Sequence, residues 1–240
     1  MAHHDLVARI AEEPDRAALL FDVDGTLAPI VTRPEDARVP AETRRELERL
    51  CGRYALVGFI SGRAGEDARR IVGVSGGVYV GSHGLELAPA AERWRVLLQM
   101  FLAGVDWPAP ATENKGLTAS LHYREAEDEA AAVEELEGIA ERARAEGFVA
   151  RFGRKVLELL PPVDATKGTA VRALLEERGL RRALYAGDDT TDLDAFAALD
   201  GLDVAVRVAM ASPEGPPALR DAADVVLEEP DELLTLLRDL

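Results

Sequence analysis

An unbroken apolar run, Ala17-Ala18-Leu19-Leu20-Phe21, stops abruptly at Asp22-Val23-Asp24-Gly25. A run without polar alternation suits a strand buried on both faces, and the glycine ends it. The chain must therefore hold two carboxylates at the mouth of a buried strand, where they repel each other and lose hydration. Such a placement needs a cation, a proton or a substrate to offset it. A Mg²⁺ ion fits, because hard cations take carboxylate oxygens. One aspartate could then attack a phosphoryl group while its neighbour handles protons. The same letters also suit a solvated Asp-Gly turn, so the rest of the chain has to decide.

Further strands are predicted at 56–60, 78–81, 184–186, 204–208 and 225–227, with helices at 41–50, 66–72, 169–178, 193–198 and 231–237. This alternation predicts an α/β fold with a parallel sheet flanked by helices on both faces. In such sheets ligands sit beyond the carboxyl ends of the strands. Asp22, Ser61, His83 and Asp188 each fall just after a predicted strand, which implies one shared site. The rhythm breaks after Gly84, where Trp94 and the Pro-rich stretch Trp107-Pro108-Ala109-Pro110 lead to strands at 117–123 and 156–160. A helix at 127–146 carries Val133, Leu136, Ala140 and Ala143 on one face. Residues 88–162 are therefore expected to form an inserted α+β cap, with 1–87 and 163–240 forming the core and Pro161-Pro162 stiffening the return.

Composition narrows the partners. The net charge of −16 opposes binding to nucleic acid, whose phosphates would be repelled. A site for a small anion must build its positive field locally, from a cation, Lys167 and helix N-termini. The single cysteine, Cys51, fits a reducing cytoplasm, and no signal peptide or membrane-length apolar run is visible. His3 and His4 are terminal residues rather than expected metal ligands. Gly73-Val74-Ser75-Gly76-Gly77 spells a serine-hydrolase elbow, but a helix precedes it and a strand follows, the reverse of what that motif needs. No Gly-x-x-x-x-Gly-Lys-Ser/Thr loop is present, and Arg33 occupies the closing position an EF-hand would give to glutamate.

Asp22-Val23-Asp24-Gly25-Thr26-Leu27 resembles the first motif of the haloacid dehalogenase superfamily, mostly Mg²⁺-dependent phosphatases with a Rossmann-like core. Its other three motifs follow in order, as Ser61-Gly62-Arg63, Lys167 in Asp164-Ala165-Thr166-Lys167-Gly168, and Gly187-Asp188-Asp189-Thr190-Thr191-Asp192. Within the superfamily, Glu113-Asn114-Lys115, Ser120-Leu121-His122-Tyr123-Arg124 and Arg154-Lys155-Val156-Leu157-Glu158 resemble the cap of the trehalose-6-phosphate phosphatases. The resemblance runs from Phe21 to about Phe196 and implies hydrolysis of a sugar phosphate.

Carried over residue by residue, it implies Asp22 as nucleophile and Asp24 as acid and base, with Ser61 and Lys167 on the phosphoryl oxygens. Mg²⁺ is expected on the carboxylates of Asp22 and Asp188 and the backbone carbonyl of Asp24, with Thr26, Asp189 and Asp192 supporting it. Arg63 and His83 are expected near the substrate, and Glu113, Lys115, Arg124 and Glu158 on the sugar hydroxyls, where charged groups make the stronger hydrogen bonds. Two positions depart from the family pattern, Leu160 where an arginine is usual and Leu193 where a glutamate is usual. The resemblance leaves open another sugar phosphate, such as sucrose phosphate or mannosylphosphoglycerate. It also leaves open a non-catalytic subunit of a trehalose-making complex, for which a trehalose-phosphate synthase would be the partner. A monomer is expected otherwise.

Overall fold

The computed structural model describes residues 2–31, 33–153, 155–212 and 215–240. Arg154 and the side chains of His3 and His4 lie outside what is described. The chain divides into two compact units, Met1–Gly84 with Ala165–Leu240, and Leu85–Asp164. The inserted unit is thus slightly wider than the expected 88–162.

The first unit begins with helix α1 (Ala2–Ala11), then strand β1 (Ala17–Phe21), α2 (Ala41–Cys51), β2 (Leu56–Ile60), α3 (Gly65–Val72) and β3 (Val78–Val80). The insertion contributes α4 (Glu92–Ala103), β4 (Thr112–Asn114), β5 (Ala119–His122), α5 (Glu129–Ala145), β6 (Val149–Gly153) and β7 (Val156–Leu160). The chain returns through α6 (Lys167–Arg178), β8 (Arg182–Gly187) and α7 (Asp192–Ala197). It ends with β9 (Val204–Met210), α8 (Pro217–Ala222), β10 (Val225–Leu227) and α9 (Pro230–Asp239).

In the first unit six strands form one sheet in the order β10-β9-β8-β1-β2-β3, and every pairing is parallel. β1 is central, which is why all of its residues are buried and why its sequence lacks alternation. Successive side chains still point to opposite faces. Leu19 and Phe21 join Ile10, Leu47, Ile71 and Leu237 in one layer, whereas Ala18 and Leu20 join Val171, Leu174 and Phe196 in the other. Leu193 packs against this second layer, so the departure from the glutamate that the resemblance implies is an apolar contact of the core.

The inserted unit is an antiparallel sheet in the order β4-β5-β7-β6. Ala119, Leu121, Leu157 and Leu159 pack with Trp94, Leu98 and Phe101 of α4 and with Leu136, Ile139, Ala140 and Ala143 of α5. The expected face of α5 is rotated. Ala132 and Ile139 are buried and Val133 is only half-buried, because an apolar stripe at this spacing is wide enough to place Val133 at its flank. The strand expected at 117–123 is shorter and is one arm of a hairpin with β4, which the sequence did not disclose. Among the described residues, no helix is long and apolar enough to cross a membrane.

Candidate active site

Asp22 takes the first position beyond β1, its backbone N–H donating to the Ala186 carbonyl at 2.9 Å. The chain then turns tightly, Gly25 N–H to Ala28 O at 2.8 Å and Ala28 N–H to Val23 O at 2.8 Å. Gly25 has φ +83°, and a Cβ there would fall 2.0 Å from Asp188 Oδ2. Only glycine allows both that backbone conformation and that approach. The turn therefore delivers Asp22 beside Asp188, which lies beyond the neighbouring strand β8.

Lys167 is the first residue of α6, whose start is fixed by reciprocal capping. The Thr166 hydroxyl accepts from Thr169 N–H at 3.3 Å, and the Thr169 hydroxyl accepts from Thr166 N–H at 2.9 Å. Its ammonium, 3 % exposed, contacts Asp22 Oδ1 and Asp192 Oδ1, each at 2.8 Å. Asp192 is fully buried and accepts further hydrogen bonds from Tyr185 OH at 2.7 Å and from the backbone N–H groups of Asp188 and Asp189 at 3.0 and 2.9 Å. Thr26 donates its hydroxyl to Asp188 Oδ1 at 3.2 Å. The Asp189 carboxylate accepts from Thr190 N–H at 2.6 Å.

Ser61, buried at the end of β2, accepts from Arg63 N–H at 3.1 Å through its hydroxyl. Arg63 grips Asp24, Nε to Oδ2 at 2.7 Å and Nη2 to Oδ1 at 2.6 Å. The His83 imidazole lies over Gly62, so close that a Cβ there would fall 2.6 Å from Cε1. His83 and its neighbour Ser82 both adopt the left-handed region, at φ 54° and 51°. For non-glycine residues that conformation is strained and clusters at ligand sites. His83 N–H donates to Ser61 O at 2.9 Å, so the strained turn braces the Ser61 loop.

The electrostatics favour a cation. Burial pushes the Asp22 carboxyl well above its ordinary value; Lys167 opposes this, and Asp192 and Asp188 add to it. Burial raises Asp188 to about 6, with Asp192 also raising it and Asp22, Lys167 and Thr26 lowering it. Lys167 loses from burial but gains more from Asp22 and Asp192, so its pKa is raised and it stays charged. One ammonium cannot satisfy three carboxylates. Oxygens of Asp22, Asp188 and Asp192 lie within 4.8 Å of one another; Asp192 is already met by four donors, and Asp22 and Asp188 remain as hard oxygen donors that fit a divalent cation.

In the inserted unit the cross-strand register sets Glu113 opposite Ser120, Ser120 opposite Glu158, and Glu158 opposite Arg151. Residues so paired share one face of the sheet, the face opposite Leu121 and Leu157. Lys115 Nζ lies 3.4 Å from Glu113 Oε2 and donates to Ser120 Oγ at 3.1 Å, and His122 Nε2 lies 3.6 Å from the same Glu113 oxygen. Arg124 is exposed in the turn after β5. Glu113, Ser120, Arg151 and Glu158 thus gather on this face, and Arg124 follows β5, the strand that carries Ser120.

Tyr185 is a site residue that its sequence context does not mark. Its aromatic ring belongs to the buried second layer, and no local pattern betrays that the hydroxyl meets Asp192.

A family model described as trehalose-phosphatase matches residues 20–107 and 106–215. The trehalose-phosphate phosphatase of Mycobacterium marinum is 33% identical over 215 residues, covering 80% of this chain and 54% of that protein. That of Mycobacterium avium is 37% identical over 209 residues, covering 77% and 51%. The probable trehalose-phosphate phosphatase D of Arabidopsis thaliana is 31% identical over 234 residues, covering 83% and 63%. The chain spans about half the length of the mycobacterial relatives it matches. Among solved structures, the C-terminal domain of the C. albicans trehalose-6-phosphate phosphatase superposes with a TM-score of 0.65 at 22% identity, covering 98% of this chain and 95% of that one. A haloacid dehalogenase-like hydrolase from Bacteroides thetaiotaomicron superposes with a TM-score of 0.60 at 16% identity, covering 92% and 98%. At these identities the structural likeness is one of fold.

Proposed function

The chain belongs to the trehalose-phosphatase family, and from that premise we propose that it hydrolyses trehalose 6-phosphate to trehalose and phosphate. The observation that carries the reading is the buried Asp22 carboxylate held 2.8 Å from the Lys167 ammonium beside Asp188. That arrangement offers a fixed nucleophile, a fixed positive charge and a seat for a cation at the strand ends.

In the proposed mechanism Asp22 attacks phosphorus, the bond from phosphorus to the sugar oxygen breaks, and an aspartyl-phosphate forms. Asp24 gives its proton to the departing sugar oxygen, a poor leaving group for which such help contributes about 10²–10⁴-fold. Asp24 then takes a proton from the water that attacks the same phosphorus, releasing phosphate and returning Asp22. Ser61 and Lys167 bind the phosphoryl oxygens, and Lys167 offsets the charge that develops on them. The carboxylates of Asp22 and Asp188 and the backbone carbonyl of Asp24 would hold Mg²⁺, which when bound supplies further charge neutralisation at a phosphoryl oxygen. Glu113, Lys115, Arg124 and Glu158 supply the charged hydrogen-bonding groups for sugar hydroxyls.

Phosphate release from purified protein tests this directly. Trehalose 6-phosphate should be turned over faster than sucrose phosphate or mannosylphosphoglycerate, and chelation should stop the reaction reversibly. Turnover of another ester with trehalose 6-phosphate left intact would refute the substrate.

A further inference from the structure

Asp192 stands within reach of the proposed ion, yet its acceptor capacity is already used. Its Oδ1 accepts from Lys167 Nζ at 2.8 Å and from Tyr185 OH at 2.7 Å. Its Oδ2 accepts from the backbone N–H groups of Asp188 and Asp189 at 3.0 and 2.9 Å. An ionised carboxylate has about four acceptor sites, and each is taken here by a donor. The residue is 0 % exposed, so water does not replace these partners.

Three of these donors cannot be spared by the site for other reasons. The two backbone N–H groups shape the loop that presents Asp188, and Lys167 is shared with Asp22. The fourth is supplied by Tyr185 alone. Its ring is fully buried in β8 and packs edge-on against Phe196, centroids 6.1 Å apart. A ring held in this way aims its hydroxyl without freedom to turn elsewhere, and burial together with the Asp192 charge keeps that hydroxyl protonated.

We propose that Tyr185 is a positioning residue, occupying the last acceptor site of Asp192 and so keeping that carboxylate on Lys167 and out of the metal's coordination shell. The ion is then left to Asp22 and Asp188, the pair that faces the reacting phosphate. This deepens the phosphatase reading and rests on it only for kinetics, since metal binding can be measured without substrate.

The test is calorimetric titration of the metal-free protein with Mg²⁺ and, separately, Ca²⁺. Tyr185→Phe keeps the ring and removes the hydroxyl, opening one oxygen site on Asp192. Ca²⁺ accepts more oxygen ligands than Mg²⁺, so the ratio of Ca²⁺ to Mg²⁺ affinity should rise about tenfold in Tyr185→Phe. In the Asp192→Asn background the same change should leave the ratio unmoved, and Asp192→Asn alone should keep the wild-type ratio. With trehalose 6-phosphate, Tyr185→Phe should lower kcat about tenfold while KM stays within about twofold, as expected when an interaction of the transition state is lost.

An unchanged ion ratio in Tyr185→Phe, whatever happens to its melting temperature, reduces the hydroxyl to a satisfied core group and overturns the proposal. A ratio shifted by Asp192→Asn alone makes Asp192 a ligand and overturns it too, even if Tyr185→Phe does not fold. A protein that binds both ions as expected but leaves trehalose 6-phosphate intact refutes the substrate and leaves this inference standing.

Discussion

Lys167 Nζ lies 2.8 Å from Asp22 Oδ1 and equally 2.8 Å from Asp192 Oδ1. One buried ammonium thereby offsets two buried carboxylates on either side of it. Removing one partner of a buried ionic group leaves the other uncompensated, which costs about 3–5 kcal/mol. Lys167→Met should therefore lose both stability and activity. Urea unfolding should show a loss of this order, and phosphate release should fall about 10²–10³-fold, the usual effect of losing one donor aimed at developing charge. Near-native stability together with near-native turnover would remove Lys167 from the site.

The pairing also separates the two aspartates of the first motif. Asp22 is 5 % exposed and joined to Lys167, while Asp24 is partly exposed and held by Arg63. Asp22→Asn should abolish turnover and leave no acid-stable trace of phosphoenzyme. Asp24→Asn should cripple cleavage of a sugar ester yet still permit labelling of Asp22 by an aryl phosphate, whose leaving group needs no proton. Rapid-quench trapping with labelled substrate distinguishes the two. Phosphate release by Asp22→Asn at the wild-type rate would sink the covalent scheme.

Much of this was legible because the decisive residues sit at the ends of uninterrupted apolar runs. β1 and β2 are buried along their whole length, so sequence alone places Asp22 and Ser61 at strand ends. Helix α4 is not legible in the sequence, although Trp94, Leu98 and Phe101 carry its buried face. Val96, Leu97 and Met100 are exposed on the same helix and blur the helical period. Asp192 is a different case. Its tie to Lys167 joins residues 25 apart in sequence, and nothing in a local window encodes such a contact. Tyr185 escaped for the same reason, its apolar surroundings being those of any strand core.

Asp188 gives a pH dependence whose sign can be worked out. Burial raises it from 3.8 to about 6, so its folded pKa exceeds its unfolded one. Such a group favours folding while protonated. Its contribution is fully present below about pH 4 and is lost as pH rises through about 6. Chelated wild-type protein should therefore lose more thermal stability than chelated Asp188→Asn between about pH 4 and about pH 7. Saturating Mg²⁺ should erase the deficit at the higher pH, because an ion that binds only the folded state stabilises it. Melting curves that fall in parallel for the two chelated proteins would contradict the burial argument.

Specificity is expected to rest on Glu113 and Glu158. The register places both on one face of the β4-β5-β7-β6 sheet, each directly opposite Ser120. Neither carboxylate belongs to the apolar cluster that holds that unit together. Truncating them should therefore spare the fold and act on ligand contacts. A hydrogen bond to a charged group is worth about 1.5–3 kcal/mol, which corresponds to roughly one to two powers of ten in rate. Glu113→Ala and Glu158→Ala should each lower kcat/KM for trehalose 6-phosphate by that factor. Cleavage of p-nitrophenyl phosphate should change far less, since that ester has no sugar hydroxyls to hold. Measuring both substrates on wild type and both variants separates recognition from chemistry. Equal losses on the two esters would mean that these carboxylates support the catalytic centre or the fold, and the trehalose assignment would lose its physical basis.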